Sequence, residues 1–458
     1  MNPQTAYVLS ITQQGNEVTV SIYDDHGRVT AYESRDVDVP VTELPDVLLS
    51  TVLTLIHGSL RHAGLVPSDL AALGMAASTY SIVVWDSISG RPLGLIQTPM
   101  SFASMSLSLR ADYLLQQAKH LGVGDEVSMA NARFGGVHSW ILWTLSQGKT
   151  YCIDEANDLV LLYDVNEEKV SEEGLMTPFL KAVFPKIVRE PGEIGTISAV
   201  YLEGCQIPFC AITSLPNAGL IGSGILSSGK AFVAYGDDGF VVTRSKETPE
   251  KTPAMITFRK SYIGSYYEDT GLLLSRFSYA QTLLSWLDSV HKEFAVVPET
   301  PLGLMTEPSL VVAPVIDHVE EKASIIGLDA QTSLFSIRVA ALRSMSYRVA
   351  ESLLHMQAVT KQPIDTLHTE RFGHALPALF WFQAGVTSIA VHERERDSYA
   401  RGTAILAGVG AKLWTLSIGV KHFEEHVSVT RYEIPEGSAR MKEQFRRWQQ
   451  IWSHGSSD

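Results

Sequence analysis

The sequence predicts an α/β protein of two domains. A length of 458 residues exceeds what one hydrophobic core ordinarily serves. Short β-branched runs with period-two alternation recur along the chain between stretches of helical period. The composition, 45% hydrophobic and 19% charged, supplies enough apolar material for two packed cores.

The stretch "YVLSITQQGNEVTVSIYDDHGRV", residues 7 to 29, alternates apolar and polar residues on both sides of a polar turn at Thr12 to Glu17, and predicts an opening β-hairpin. A further strand runs to about residue 37, and apolar residues at helical spacing predict a helix over 43 to 63. "LAALGMAASTYSIVVWDSISGRPLG" reads as strand, turn, strand, with "SGRP" closing the second turn. A helix with an apolar Trp140/Trp143 face stops at Gly148. "IPFCAITSLPNAGLIGSGILSSGKAFVAYGDDGFVV" predicts a buried strand, a turn, a helix of small residues and another strand.

The polar segment "TRSKETPEKTP", 243 to 253, predicts a linker, placing the domains at 1–245 and 246–458. Beyond it come strands over 254 to 275, a helix over 278 to 291, and a long helix over about 330 to 356 with Ile337, Ala341, Met345 and Val349 inward. A last helix covers 436 to 453. "FWF" at 380 to 382 reads as helix core, and "HERERD" at 392 to 397 as a solvated charge run.

The net charge of −14, from 36 basic and 50 acidic residues, disfavours nucleic acid or an anionic membrane as partner. The longest apolar runs are broken well short of the ~20 residues of a membrane span, and the start lacks the basic region of a signal peptide. Cys152, Cys205 and Cys210 cannot all pair and lack metal-ligand spacing, which suits a reducing cytoplasm. His368, Glu370 and His374 likewise fit no standard helical ligand pair.

The order of elements, with "SIVVWDSISGRPL", "VHSWILWTLSQGKTYCIDEAND" and the closing "FRRWQQIW", resembles the FGGY carbohydrate kinases, the glycerol kinases most of all. The resemblance covers nearly the whole chain, with shorter stretches around 105 to 130 and 313 to 325. It implies two ribonuclease H-like (actin-like ATPase fold) domains flanking a cleft, where such kinases bind polyol or sugar and ATP.

Phosphoryl transfer needs positioning, charge neutralisation and a base for the hydroxyl proton. Measured against the family's motifs, each part is altered. Where the family carries Asp-Gln-Gly-Thr-Thr for magnesium and phosphates, this chain has Thr12, Gln13, Gln14, Gly15 and Asn16, keeping only the Gln. The Gln-Arg-Glu that holds the polyol corresponds to Ser78, Thr79 and Tyr80. The family's polyol-site Trp corresponds to Pro99 and its Tyr to Glu155. The catalytic Asp and its following Gln correspond to Leu215 and Pro216. The phosphate-facing Tyr-Gly-Thr-Gly turn reads Tyr235, Gly236, Asp237, Asp238, and the glycine pair that cradles adenosine falls near Arg371 and Phe372.

Leucine accepts no proton, and loss of a positioned general base typically costs about 10²- to 10⁴-fold. The expectation is therefore a catalytically inactive, glycerol kinase-like pseudokinase without cofactor or metal, kept to bind a ligand or to act with a protein partner, either a second copy or an active FGGY paralogue. The alternative is an active kinase on an altered sugar or polyol, in which MgATP is bound and Glu155, Asp237 or Asp238 supplies metal ligand or base.

Overall fold

The computed structural model describes residues 6–37, 44–164, 169–170, 184–236, 239–253, 255–260, 271–290, 310–317, 320–370, 377–395 and 397–455. The expected hairpin is β1 (Tyr7–Gln14) and β2 (Glu17–Tyr23), followed by β3 (Val29–Asp36). Its turn is tighter than the sequence suggests: only Gly15 and Asn16 lie outside the strands, and Gly15 takes φ +55°, a conformation that costs glycine little. Thr12 and Gln13 belong to β1 and pair with Thr19 and Val18. Helix α1 (Leu44–Ala63) buries Leu48, Val52, Ile56 and Leu60, the stripe its periodicity predicts.

The chain continues through β4 (Leu70–Ala77), β5 (Ser81–Asp86), β6 (Pro92–Gln97), α2 (Leu107–His120), α3 (Glu126–Asn131), β7 (Ala132–Gly136) and α4 (Val137–Leu145). Gly148, at φ +76°, ends the α4 region as expected; Trp140 is buried, and Trp143 only partly. Short strands β8 (Cys152–Asp154), β9 (Tyr163–Asp164), β10 (Lys169–Val170), β11 (Lys186–Val188) and β12 (Gly195–Ile197) lead to β13 (Ile207–Ser214) and α5 (Leu215–Gly222). Next come β14 (Lys230–Ala234), β15 (Gly239–Ser245), β16 (Thr257–Lys260), β17 (Gly271–Phe277), α6 (Tyr279–Val290), β18 (Val311–Asp317), β19 (Glu320–Ile326) and α7 (Leu334–Thr360). The last elements are β20 (Thr366–Glu370), α8 (Pro377–Thr387), β21 (Ala390–Arg394), α9 (Ser398–Gly410), α10 (Leu416–Glu424), β22 (Val429–Tyr432) and α11 (Ser438–Gly455). On α7, Ala341, Met345 and Val349 are fully buried, whereas Ile337 is partly exposed.

The molecule divides into two compact units. The first comprises 1–224, 259–268 and 397–426, and the second 225–258, 269–396 and 427–458. The division therefore falls at Gly224/Ile225 rather than after residue 245. The reason is that β15 remains paired with β14 and β17 through Ser245 inside the second sheet. The first sheet has order β12-β13-β4-β1-β2-β3 and the second β16-β17-β15-β14-β20-β21-β22. In each, three consecutive antiparallel strands continue into two parallel ones: β3-β2-β1 into β4 and β13, then β17-β15-β14 into β20 and β21. The repeat is the α/β architecture expected of two like domains of the ribonuclease H-like class.

Two residues of the charge run at 392 to 397 do not face solvent. Glu393 and Arg394 lie on β21, only 7% and 6% exposed, because their polar atoms find partners indoors: Tyr432 donates to Glu393, and the Arg394 guanidinium donates to His368 Nδ1 at 3.1 Å. Buried charges persist when paired in this way.

In the first unit α9 packs on α5, β1, β4 and β13, and glycines set the distance. A Cβ at Gly222 would stand 1.8 Å from Ser398 O, and one at Gly402 would stand 2.0 Å from Ala218 O. Both obstacles are backbone, so no side chain can move aside. Gly402→Ala is expected to destabilise the protein by about 1–3 kcal/mol, the usual cost of overpacking, read as a lowered urea midpoint. An unchanged midpoint would show that the helices separate freely.

Candidate functional site

The parallel pairing of β1, β4 and β13 brings distant residues into one row. Gln13 and Ser214 both face Ala77 in register, and Thr12 and Thr213 both face Ala76. Ser78 and Leu215 follow directly on these strand ends. Ligands in α/β sheets gather at such carboxyl ends of strands. Thr12, Gln13, Ser78, Thr79, Tyr80 and Leu215 are all at most 6% exposed. Pro99, half-buried, precedes a 3₁₀ turn at Met100–Ser104 on the chain leaving β6.

The row's chemistry is poor in charge. Gln13 donates its amide to Gly15 O at 2.5 Å, folding back over its own turn. Ser78 Oγ accepts from Tyr80 N at 3.3 Å, and buried Thr79 Oγ1 has no partner among the described residues. Leu215 opens α5, with Ser214 capping Asn217 N and Pro216 in the first turn, so the local sequence builds a well-formed helix start. None of Thr12, Gln13, Ser78, Thr79 and Leu215 carries a carboxylate, the ligand a magnesium–phosphate group requires. These residues do not fit that group. Gly236 is buried at the end of β14, while Asp237, Asp238, Arg371 and Phe372, together with His374, lie outside the described residues.

Carboxylates do occur nearby, on β8. Its parallel pairing with β11 sets Asp154 opposite Val188, so that Asp154, Glu155 and Arg189 meet Thr213, Asn217 and Leu406 around a cavity of 30 Å³. That volume suits about two water molecules. Thr213 and Asn217, joined by an amide-to-hydroxyl bond of 2.9 Å, flank Leu215 in the chain. Glu155 is buried with Arg189 Nε 3.8 Å away. Tyr80 O accepts from Thr98 N at 2.9 Å, the Thr98 hydroxyl donates to Asp158, and Asp158 in turn pairs with Arg259 at 2.5 Å.

Asp154 and His138 were not singled out in the sequence; an imidazole inside the apolar run "VHSWILW" was the available signal. His138 is wholly buried, and its Nε2 lies 3.3 Å from Asp154 Oδ1. Burial pushes the Asp154 carboxyl up to about 7, with the Glu155 charge adding to the rise, and pushes the His138 imidazole down to about 3. The interior thus favours a protonated acid beside a neutral imidazole, whose Nε2 accepts from Asp154 N at 3.4 Å.

No protein-family model matches the chain. Over its whole length it nevertheless aligns with curated glycerol kinases. It is 22% identical to that of Lactococcus lactis, covering 97% of each chain, and 24% identical to that of Natranaerobius thermophilus, covering 89% and 90%. The Plasmodium falciparum glycerol kinase solved with ADP superimposes with a TM-score of 0.77 at 16% identity over 99% of both chains. The chain is thus similar over nearly its whole length to glycerol kinases and shares the fold of the FGGY carbohydrate kinases. A Lactobacillus acidophilus gluconate kinase shares the same FGGY fold, with a TM-score of 0.76 at 15% identity and 99% coverage of both chains. The row at the ends of β1, β4 and β13 is accordingly read in this chain's own residues.

The Asp154–His138 pair makes a pH prediction. Asp154, raised from 3.8 to about 7, contributes stability that is full below its unfolded value and lost as pH rises through the folded one. His138, lowered from 6.5 to about 3, contributes stability present above 6.5 and lost as pH falls through 3. Between about pH 4 and 6.5 the pair binds one proton whether folded or unfolded, so the two slopes cancel. Asp154→Asn should expose a stability that rises with pH over this window, and His138→Gln one that falls. Urea midpoints measured across the window check this; parallel profiles for both variants would contradict the pairing.

Proposed function

We propose that this FGGY relative does not phosphorylate glycerol and serves in the cytoplasm as a binding or regulatory protein, acting with a second copy or with an active FGGY kinase. The observation that carries the reading is Leu215: it is 4% exposed at the start of α5, where the family resemblance calls for the catalytic base. A leucine there packs and cannot take a proton. Thr12, on β1 beyond the intervening β4, stands with a neutral hydroxyl where the resemblance calls for the magnesium carboxylate, so two separate requirements of phosphoryl transfer lapse together.

A second reading has one observation in its favour. Asp154, buried with its carboxyl near 7, has the proton affinity of a general base working at neutral pH. On that reading the chain phosphorylates an altered sugar or polyol, and the Asp154–Glu155 pair supplies the base or metal ligand that Leu215 and Thr12 lack. The 30 Å³ cavity beside it weighs against a polyol in this conformation.

An ADP-release assay with glycerol and a panel of sugars and polyols separates the readings. The expected result is no substrate-dependent ADP from wild type and none from Leu215→Asp, since groups that act as a unit are not restored singly. ATP-dependent turnover of any panel member that Asp154→Asn abolishes would favour the second reading. Nucleotide binding is a separate test. By sequence, Asp237 and Asp238 stand at the family's phosphate-facing turn, and a carboxylate about 4 Å from a phosphate charge costs roughly 4 kcal/mol at an effective dielectric near 20; solvent would halve it to about 2 kcal/mol. Calorimetry should show no MgATP binding to wild type and partial recovery in Asp237→Thr/Asp238→Gly. Micromolar binding by wild type that the double variant weakens would make these aspartates metal ligands and overturn the proposal.

A further inference from the structure

The second unit contains a larger cavity with a different character. It measures 590 Å³ and is walled by β18, α7 and α11, within the usual size range of small-molecule sites, about 300–1,000 Å³. Its apolar side is Leu310, Val312, Ala340, Tyr347 and Trp448. The wall is fixed: Trp448 Nε1 donates to Val312 O at 2.9 Å, Ser344 Oγ donates to the same carbonyl at 2.6 Å, and Tyr347 stacks on Phe445 with centroids 5.7 Å apart.

The charged side is almost wholly basic. Arg343, one turn from Tyr347 on α7, is 3% exposed. Arg440, Gln444 and Arg447 recur at helical spacing on α11 beside the buried stripe of Met441, Phe445 and Trp448, and Arg446 completes the rim. Glu443 is the one acidic residue in the lining, against four arginines. The chain as a whole carries −14, so this concentration of positive charge runs against its average. The side-chain nitrogen and oxygen of Gln444 are out of solvent and have no partner among the described residues, a state that ordinarily calls for a ligand or water.

We infer that this cavity binds a small phosphate monoester carrying an apolar body. The excess of positive charge in the lining matches a dianion better than a carboxylate. Guanidinium groups offer planar pairs of donors to phosphate oxygens, and a phosphomonoester presents three acceptors with a charge of about −1.5 to −2. Tyr347, Trp448 and Val312 would cover the organic portion, and the Gln444 amide would take a polar substituent. The inference does not depend on whether the chain transfers phosphate, because every residue it uses lies in the second unit, whereas Leu215 and Thr12 belong to the first.

Phenyl phosphate is the probe, titrated against the full-length protein by tryptophan fluorescence and thermal shift at constant ionic strength, with phenol and inorganic phosphate as the separate halves of the ligand. Saturable binding of phenyl phosphate at least tenfold tighter than either half is expected. Arg440→Glu/Arg447→Glu should weaken it tenfold or more, while Arg35→Glu/Lys119→Glu, the same change of net charge on exposed positions of the first unit, should leave it unaltered. Should the pocket variant lose its circular dichroism, Gln444→Leu carries the same test and should weaken binding severalfold. No saturable binding, equal affinity for phenol, or equal weakening by both charge-reversed pairs would overturn the assignment.

Discussion

The first unit depends on how closely one late helix can approach strands laid down much earlier in the chain. α9, starting at Ser398, reaches the β1–β4–β13 layer only because Gly74, Gly222 and Gly402 present no side chains where it crosses: a Cβ at Gly74 would meet Thr403 O at 3.0 Å. Contact at backbone distance leaves no slack, so the positions of α5 and β4 are fixed against α9 rather than against flexible side chains. Arg401 reinforces the crossing by donating to Gly222 O at 3.3 Å and to Ser398 Oγ at 3.0 Å, and Tyr23 on β2 binds Asp397 just ahead of the helix. The row of strand ends is therefore rigidly held whatever residues occupy it.

On the proposed reading, that rigidity lets chemistry and architecture part company. Residues at the strand ends contribute little to the crossing, which rests on glycines and backbone. On that reading, leucine in place of a carboxylate at position 215 removes the cost of burying a charge and adds apolar burial worth about 1.5–3 kcal/mol when complete. Functional groups are commonly held at some expense of stability, and a chain released from catalysis gains by exchanging them for packing residues.

Much of the fold could be read from the sequence, because it rests on periodicity. The β1–β2 hairpin, the α1 stripe and the β13–α5–β14 succession each announce themselves in a window of a few residues. What escaped were features made by distant partners. The return of residues 397–426 to the first unit has no local signature, and the boundary near residue 245 was misplaced because a polar segment resembles a linker even when its first residues complete β15. Glu393 and Arg394 read as solvent-facing since nothing near them in sequence reveals His368 or Tyr432. The row of Thr12, Ser78 and Leu215 was legible only through the family's motifs, since nothing in neutral residues signals a site.

The Asp154–His138 pair places an acid beside a base in the interior of the first unit. A buried carboxyl with a raised pKa is ordinarily a burden, because the unfolded chain releases its proton readily and the folded one does not. A buried imidazole with a lowered pKa is the opposite burden. Placed 3.3 Å apart, they exchange the proton's location on folding without changing the number bound over the mildly acidic range. The interior can therefore retain an acid beside the cavity of Glu155 and Arg189 at little cost to pH tolerance. Leu215, which needs no such counterpart, occupies the neighbouring helix start with none.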